Sequence, residues 1–225
     1  MKILALDTAT EACSVSLCIG DRVISRYVEL ERGHAEQLLP MVDSVLAESG
    51  IGLSALDAIA FGRGPGGFTG VRLAASVAQG LAFGAQVGVV PISDLAAVAM
   101  RVVELEPAVR RVLVANDARM KEVYWAWFEV DGTLTPGTEH VSAAAEVLLP
   151  MDTSAPWAAA GRGLKAWPDL AERCRAAGAS LHPHLLPRAS EILTLARPAV
   201  AAGQILDPAD ALPVYVRDRV AQSSL

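Results

Sequence analysis

The 225-residue chain lacks several things that whole classes of function require. No apolar run approaches, free of charge, the ~20 residues that a bilayer-crossing helix needs, so no membrane role is expected. The N-terminus, Met1-Lys2-Ile3-Leu4-Ala5-Leu6-Asp7, meets a carboxylate after four apolar residues. That is too short for the core of a secretory signal, and a cytoplasmic location is expected. Cysteine is scarce: Cys13, Cys18 and Cys174 form no CxxC pair, and an odd number in a chain without an export signal argues for reduced, buried thiols. The four histidines, His34, His140, His182 and His184, make neither HxxxH nor HExxH, the spacings that place two imidazoles on one helical face. No metal is expected. Nor is there an excess of positive charge, since 19 Lys and Arg face 25 Asp and Glu for a net charge of −6. Affinity for a phosphate backbone grows with the number of phosphates neutralised, so any link to RNA is expected to run through a partner.

What is present suffices for a large core, with 52% hydrophobic and 20% charged residues. Alternation and turn residues predict strands at 2–8, 13–19 and 23–30. From His34 to Ser49, Ala35, Leu38, Leu39, Val42, Val45 and Leu46 recur at helical spacing, and Gly50 follows as a stop. A strand at 58–62, a glycine-rich turn at 62–70, a helix to about Phe83, a strand at 87–92 and a helix through Val103 complete a βββαβαβα half. The pattern breaks at Glu104-Leu105-Glu106-Pro107. A second series then begins, with strands at 111–116, 123–130 and 133–141, a helical stretch at 142–149, a strand at 157–160 and helices near 170–177 and 189–202. Three antiparallel strands followed by helix and strand, given twice, outline a duplicated α/β unit divided as residues 1–108 and 109–225.

Gly62-Arg63-Gly64-Pro65-Gly66-Gly67 matches GxGxxG between strand and helix. A dinucleotide fold also needs an acidic residue about 20 positions on, and the stretch between Asp57 and Asp94 has none. A P-loop fails too, for want of a Lys-Ser or Lys-Thr pair after the glycines. The favoured reading is a tight turn that lets backbones approach closely. Asp7-Thr8-Ala9-Thr10 leaves the first strand, where Asp7, Thr8 and Thr10 are placed either to meet a metal-bound phosphate or, as favoured here, to cap a turn with side-chain to backbone bonds. His182-Pro183-His184 reads as a surface connector. The helix after the glycine turn is apolar nearly all round, with small residues at Ala74, Ala75, Ala78 and Ala82 and bulky ones at Leu73, Val77 and Leu81. Two buried faces are implied, one for its own sheet and one for either plain core or a subunit interface.

Taken together, Ile3 to Thr8, His34-Ala35-Glu36-Gln37-Leu38-Leu39-Pro40, Gly62 to Arg72, Asp117 to Tyr124 and Pro213-Val214-Tyr215-Val216-Arg217 resemble the TsaB family, also called YeaZ, over nearly the whole chain. The resemblance implies two actin-like or Hsp70-like subdomains in tandem, the ASKHA and ribonuclease H-like architecture. It also implies a non-catalytic, cofactor-free subunit of the machinery that makes N6-threonylcarbamoyladenosine at position 37 of tRNA. Implied partners are the catalytic paralogue TsaD, the ATPase subunit TsaE and, when the paralogue is missing, a second copy, with tRNA bound only indirectly. The catalytic relative carries HxxxH metal ligands after the glycine turn, helix and strand, where this chain has Asp94 and Val98. An aliphatic side chain cannot ligate a metal. The implied interface lies on the helices at 34–49 and 69–83, with His34, Ala35, Leu38, Leu39, Val42, Leu46, Arg72, Ala75, Ser76, Ala78, Gln79 and Ala82 as contact residues. Gly67 stands where the family commonly has serine, and Gly161-Arg162-Gly163-Leu164 only loosely resembles its second glycine motif. The alternative is an independent ATPase or kinase-like enzyme using Asp7, or a peptidase, for which no nucleophile and base pair is visible.

Overall fold

The computed structural model describes residues 1–152 and 154–217. Three antiparallel strands open the chain, β1 (Lys2–Asp7), β2 (Ala12–Ile19) and β3 (Arg22–Glu29), followed by helix α1 (His34–Ser49), β4 (Ala58–Gly62), α2 (Phe68–Ala85), β5 (Gly88–Ile92) and α3 (Asp94–Leu105). Their sheet runs β3-β2-β1-β4-β5, with β1, β4 and β5 parallel. The second series is β6 (Arg111–Asp117), β7 (Glu122–Asp131), β8 (Thr133–Pro136), β9 (His140–Ala143), β10 (Trp157–Ala160), α4 (Gly163–Ala166), α5 (Pro168–Ala176), β11 (Ser180–His182) and α6 (Ala189–Ala201). Its sheet runs β11-β10-β6-β7-β8, with β6, β10 and β11 parallel. The two orders superpose strand for strand, so the duplicated outline is two actin-like, ribonuclease H-like subdomains in tandem.

Strands β1 and β2 are buried along almost their whole length, as a sheet covered on both faces requires. Successive side chains of β1 serve opposite cores. Leu4 and Leu6 pack with Leu38, Val42, Val45, Ala74, Ala78 and Ala82 of α1 and α2. Ile3 and Ala5 pack with Ala189, Ile192, Leu193 and Ala196 of α6. The second sheet is built likewise: Val112, Val114 and Phe128 face Leu95, Val98, Ala99 and Val102 of α3. Leu113, Trp125 and Trp157 face Leu164, Leu170 and Cys174 of α4 and α5. Helices α3 and α6 touch each other between the sheets.

Four expectations are corrected. A division at residue 108 leaves α3 on the wrong side of the cut, because that helix covers the second sheet, whereas α6 from the second half covers the first. Residues 133–141 are not one strand but β8 and β9, which pair with opposite ends of the longer β7. The helical stretch at 142–149 reduces to a single 3-10 turn, Ala144–Glu146, after β9. His182 sits in strand β11 rather than in a connector, and its Nε2 lies 2.6 Å from Glu106. The second half is expected to run to residue 225; position 153 and positions 218–225 lie outside the described residues.

Candidate functional site

Two surfaces draw the motif residues together. The first is a cleft of about 600 Å³ between the subdomains. On one side lie Thr8, Thr10, His34 and the turn from Pro65 to Gly70, and on the other Asn116 to Met120 and Arg162. The glycine turn is held by backbone bonds from Arg63 N to Ile92 O (2.8 Å), Asp94 N to Gly64 O (3.0 Å) and Gly67 N to Ala9 O (2.7 Å). A methyl group at Gly66 would stand 2.4 Å from the Ala9 carbonyl. Close backbone approach is therefore what the glycine there supplies.

Asp7 ends β1 beneath this turn and is fully buried. Its Oδ1 accepts from Ala9 N at 2.9 Å, the side-chain to backbone cap that an Asp at a strand end favours. Thr8 donates to the Gly70 carbonyl at 2.7 Å, and the Thr10 hydroxyl accepts from Ala12 N at 3.2 Å. Asp94 opens α3 behind its N-cap Ser93, is fully buried as well, and accepts from Gly64 N at 2.5 Å. The remaining oxygens, Asp7 Oδ2 and Asp94 Oδ1, have no hydrogen-bond partner among the described residues, and the two carboxyls lie side by side over Gly62. Burial raises both, and Asp94 rises well above the ordinary value because the Asp7 charge adds to its desolvation. A side chain at Gly62 would lie 2.4 Å from Asp94 Oδ1 and 2.5 Å from Asp7 Oδ1, so the pair fills the space over that glycine. Neither Asp7 nor Asp94 lines the cleft. Val98, one helical turn on, is enclosed in the second core. Among the described residues, no three His, Cys, Asp or Glu are grouped to share a metal ion.

The second surface is the outer side of α1 and α2. Of the twelve residues expected at an interface, Leu38, Val42, Leu46, Ala75, Ala78 and Ala82 are enclosed in the chain's own core. They point inward because the apolar stripe of each helix is consumed by its sheet. His34 is half-buried with Nε2 2.9 Å from the Thr10 carbonyl, and Gln79 donates to the Pro208 carbonyl at 3.0 Å. That leaves Ala35, Leu39, Arg72 and Ser76 exposed. Sequence reasoning missed Phe83, which stands 79% exposed near the end of α2, against 48% for Leu39. Large apolar side chains on two helices that already fill their sheet are what an association surface supplies. Also unforeseen was a tie between the subdomains: Arg63 grips Glu139 through both terminal nitrogens at 3.1 Å, and Ser93 donates to the same carboxylate at 2.5 Å. Nothing local to Glu139 signals it.

No helix among the described residues is long and apolar enough to cross a membrane. A family model described as TsaD, tRNA N6-adenosine threonylcarbamoyltransferase, matches residues 28–182. The tRNA threonylcarbamoyladenosine biosynthesis protein TsaB of Escherichia coli K12 is 41% identical over 235 aligned positions, covering 100% of this chain and 98% of that one. Its counterpart in Haemophilus influenzae is 52% identical over 126 residues, 56% of this chain and 53% of its own. A solved structure of YeaZ from Pseudomonas aeruginosa superposes with a TM-score of 0.87 at 46% identity, over 95% of this chain and 99% of the other. A second Pseudomonas aeruginosa structure, described as an uncharacterized protein with similarity to peptidase YEAZ, gives 0.89 at 46% identity, over 96% and 99%. With two tandem actin-like subdomains and full-length identity of this order, the chain belongs to the TsaB family of tRNA threonylcarbamoyladenosine biosynthesis proteins.

Proposed function

We propose that this chain is a non-catalytic subunit. It pairs with a catalytic paralogue of the TsaD type and so supports transfer of the threonylcarbamoyl group to N6 of adenosine 37 in tRNAs that read codons beginning with A. The observation that carries the reading is the state of the groups a catalyst of this architecture would use. Asp7 is fully buried beneath the glycine turn, accepts from Ala9 N, lies beside Asp94, and is not among the residues that line the cleft. Val98 is core. The exposed side of α1 and α2, with Ala35, Leu39, Arg72, Ser76 and Phe83, supplies the pairing surface, and in the absence of the paralogue a second copy occupies it. The acidic net charge leaves tRNA to the partner, and the ATPase subunit TsaE joins the pair.

The experiment is mass-spectrometric quantification of threonylcarbamoyladenosine in tRNA after reconstitution of the remaining subunits with wild-type chain, with Leu39→Glu, or without the chain. Product is expected with wild type and lost in the other two. Because Leu39 is exposed, the variant keeps its fold, which circular dichroism checks. Full product in its presence would remove α1 from the pairing surface, and full product without any chain would refute the assignment to this reaction.

A further inference from the structure

The motif Pro213-Val214-Tyr215-Val216-Arg217 is not among the residues assigned to the pairing surface, although Tyr215 touches Arg72 at its edge. After α6 the chain turns back over the first subdomain. Leu206 exchanges two backbone bonds of 2.9 Å with Val89 on β5, the edge strand of the first sheet, and Ala211 enters the core beneath α1 and α2. From there it crosses the mouth of the cleft. Val214 N donates to the Arg63 carbonyl at 2.8 Å, and the Val214 carbonyl lies over Gly64, 3.1 Å from where a Cβ would stand. The Tyr215 hydroxyl accepts from Arg72 Nε at 2.6 Å, and that guanidinium also covers the Phe68 ring at 3.6 Å. Arg217 then reaches the other subdomain. Its Nη2 donates to the Ala118 carbonyl at 3.2 Å and to the Glu122 carboxylate, and its Nη1 lies 3.2 Å from Met120 Sδ. Only 17% of the Arg217 side chain is exposed.

These contacts run from the glycine turn and the start of α2 to the β6–β7 hairpin, the two walls of the cleft. The hairpin needs holding, because Arg119, Met120 and Lys121 follow one another in left-handed conformation, with φ of 59°, 50° and 64°. Non-glycine residues adopt that region at a cost, and a neighbouring structure must supply the difference. Arg63 is the node of a second tie, since its carbonyl receives the strap while its side chain grips Glu139 of the other subdomain. We propose that residues 212–217 are a built-in strap that occupies the mouth of the cleft and holds the two subdomains at a fixed angle, with Arg217 as its far anchor.

Amide hydrogen exchange on the full chain tests this, comparing wild type with Arg217→Ala and, from the hairpin side, Glu122→Gln. Arg217 bonds the hairpin, whereas the glycine turn is bonded by Val214, three residues back. If the strap acts as one body, both variants expose amides at 118–122 and also at 63–67, each by about tenfold, while α5 at 168–176 keeps its wild-type rates. Faster exchange at 118–122 alone would reduce the motif to a local contact and overturn the proposal. So would unchanged rates, or a uniform rise that includes α5.

Discussion

Two of the three glycines in helix α2 make opposite predictions within a single element. Gly80 is exposed, and a methyl group there would meet nothing within 4 Å. Gly80→Ala is therefore a helix-propensity change alone, expected to stabilise the chain by about 1 kcal/mol. In a chain of this size that corresponds to a melting temperature about 2–4 °C higher. At Gly70 the same methyl would stand 2.0 Å from the Thr8 carbonyl oxygen and 3.0 Å from its carbon. Relief requires the start of α2 to retreat by more than an ångström from the β1–β2 turn. That retreat strains the bonds from Thr8 Oγ1 to the Gly70 carbonyl and from Gly67 N to the Ala9 carbonyl. Overpacking costs about 1–3 kcal/mol and a weakened hydrogen bond about 1 kcal/mol. Set against the same propensity gain, Gly70→Ala should lose about 1–3 kcal/mol net. Urea unfolding by tryptophan fluorescence, at matched protein concentration, measures both variants against wild type. If Gly70→Ala shifts the midpoint upward as far as Gly80→Ala does, the contact between glycine turn and first strand is not as described.

Three further outcomes follow from the same geometry. Because burial raises both Asp7 and Asp94, the folded chain keeps a proton that the unfolded chain releases above the ordinary value of 3.8, so this pair lowers stability progressively as pH rises through and beyond that value. Asp94→Asn removes the titrating group, and its melting temperature should gain on wild type as pH rises above the ordinary carboxylate range; parallel curves would contradict the raised carboxyl. Ala78→Glu places a carboxylate where the wild-type residue is wholly enclosed and should cost about 3–5 kcal/mol, seen as insolubility or a collapsed melting transition rather than as loss of pairing in a folded monomer. Cys13 and Cys174, whose thiols burial pushes up to about 11, should fail to react with Ellman's reagent at pH 8 in the native chain and react fully in urea.

Much of this arrangement was legible in the residues. The apolar run Ile3 to Leu6 of β1 announces a strand covered on both faces, and Gly50, which takes a φ of 75°, announces the end of α1. The destination of a helix was not legible. Leu95, Val98 and Val102 of α3 form an apolar stripe that either sheet could receive, and only the three-dimensional path shows that the second one does. Six of the residues expected at an interface lie in the chain's own core for the same reason. Leu38, Val42 and Leu46 recur at i, i+4 and i+8, which reveals a stripe but not whether a sheet or a partner covers it. Phe83 interrupts no pattern and so passed as part of an all-apolar helix. Asp94 stands out in the sequence only as a replacement for a ligand; its place beside Asp7 over Gly62 joins positions 87 apart and has no local signature.

The exchange of α3 and α6 between the sheets bears on how the chain is made. A nascent chain that has emerged as far as β5 possesses all five strands of the first sheet, but the helix that covers Ile3, Ala5 and Val90 is still some hundred residues from being synthesised. Neither half can cover both faces of its sheet alone. Closure of the first sheet must therefore wait for α6, and its open face is exposed in the interval. Fragments ending near residue 108 should aggregate rather than fold as a domain.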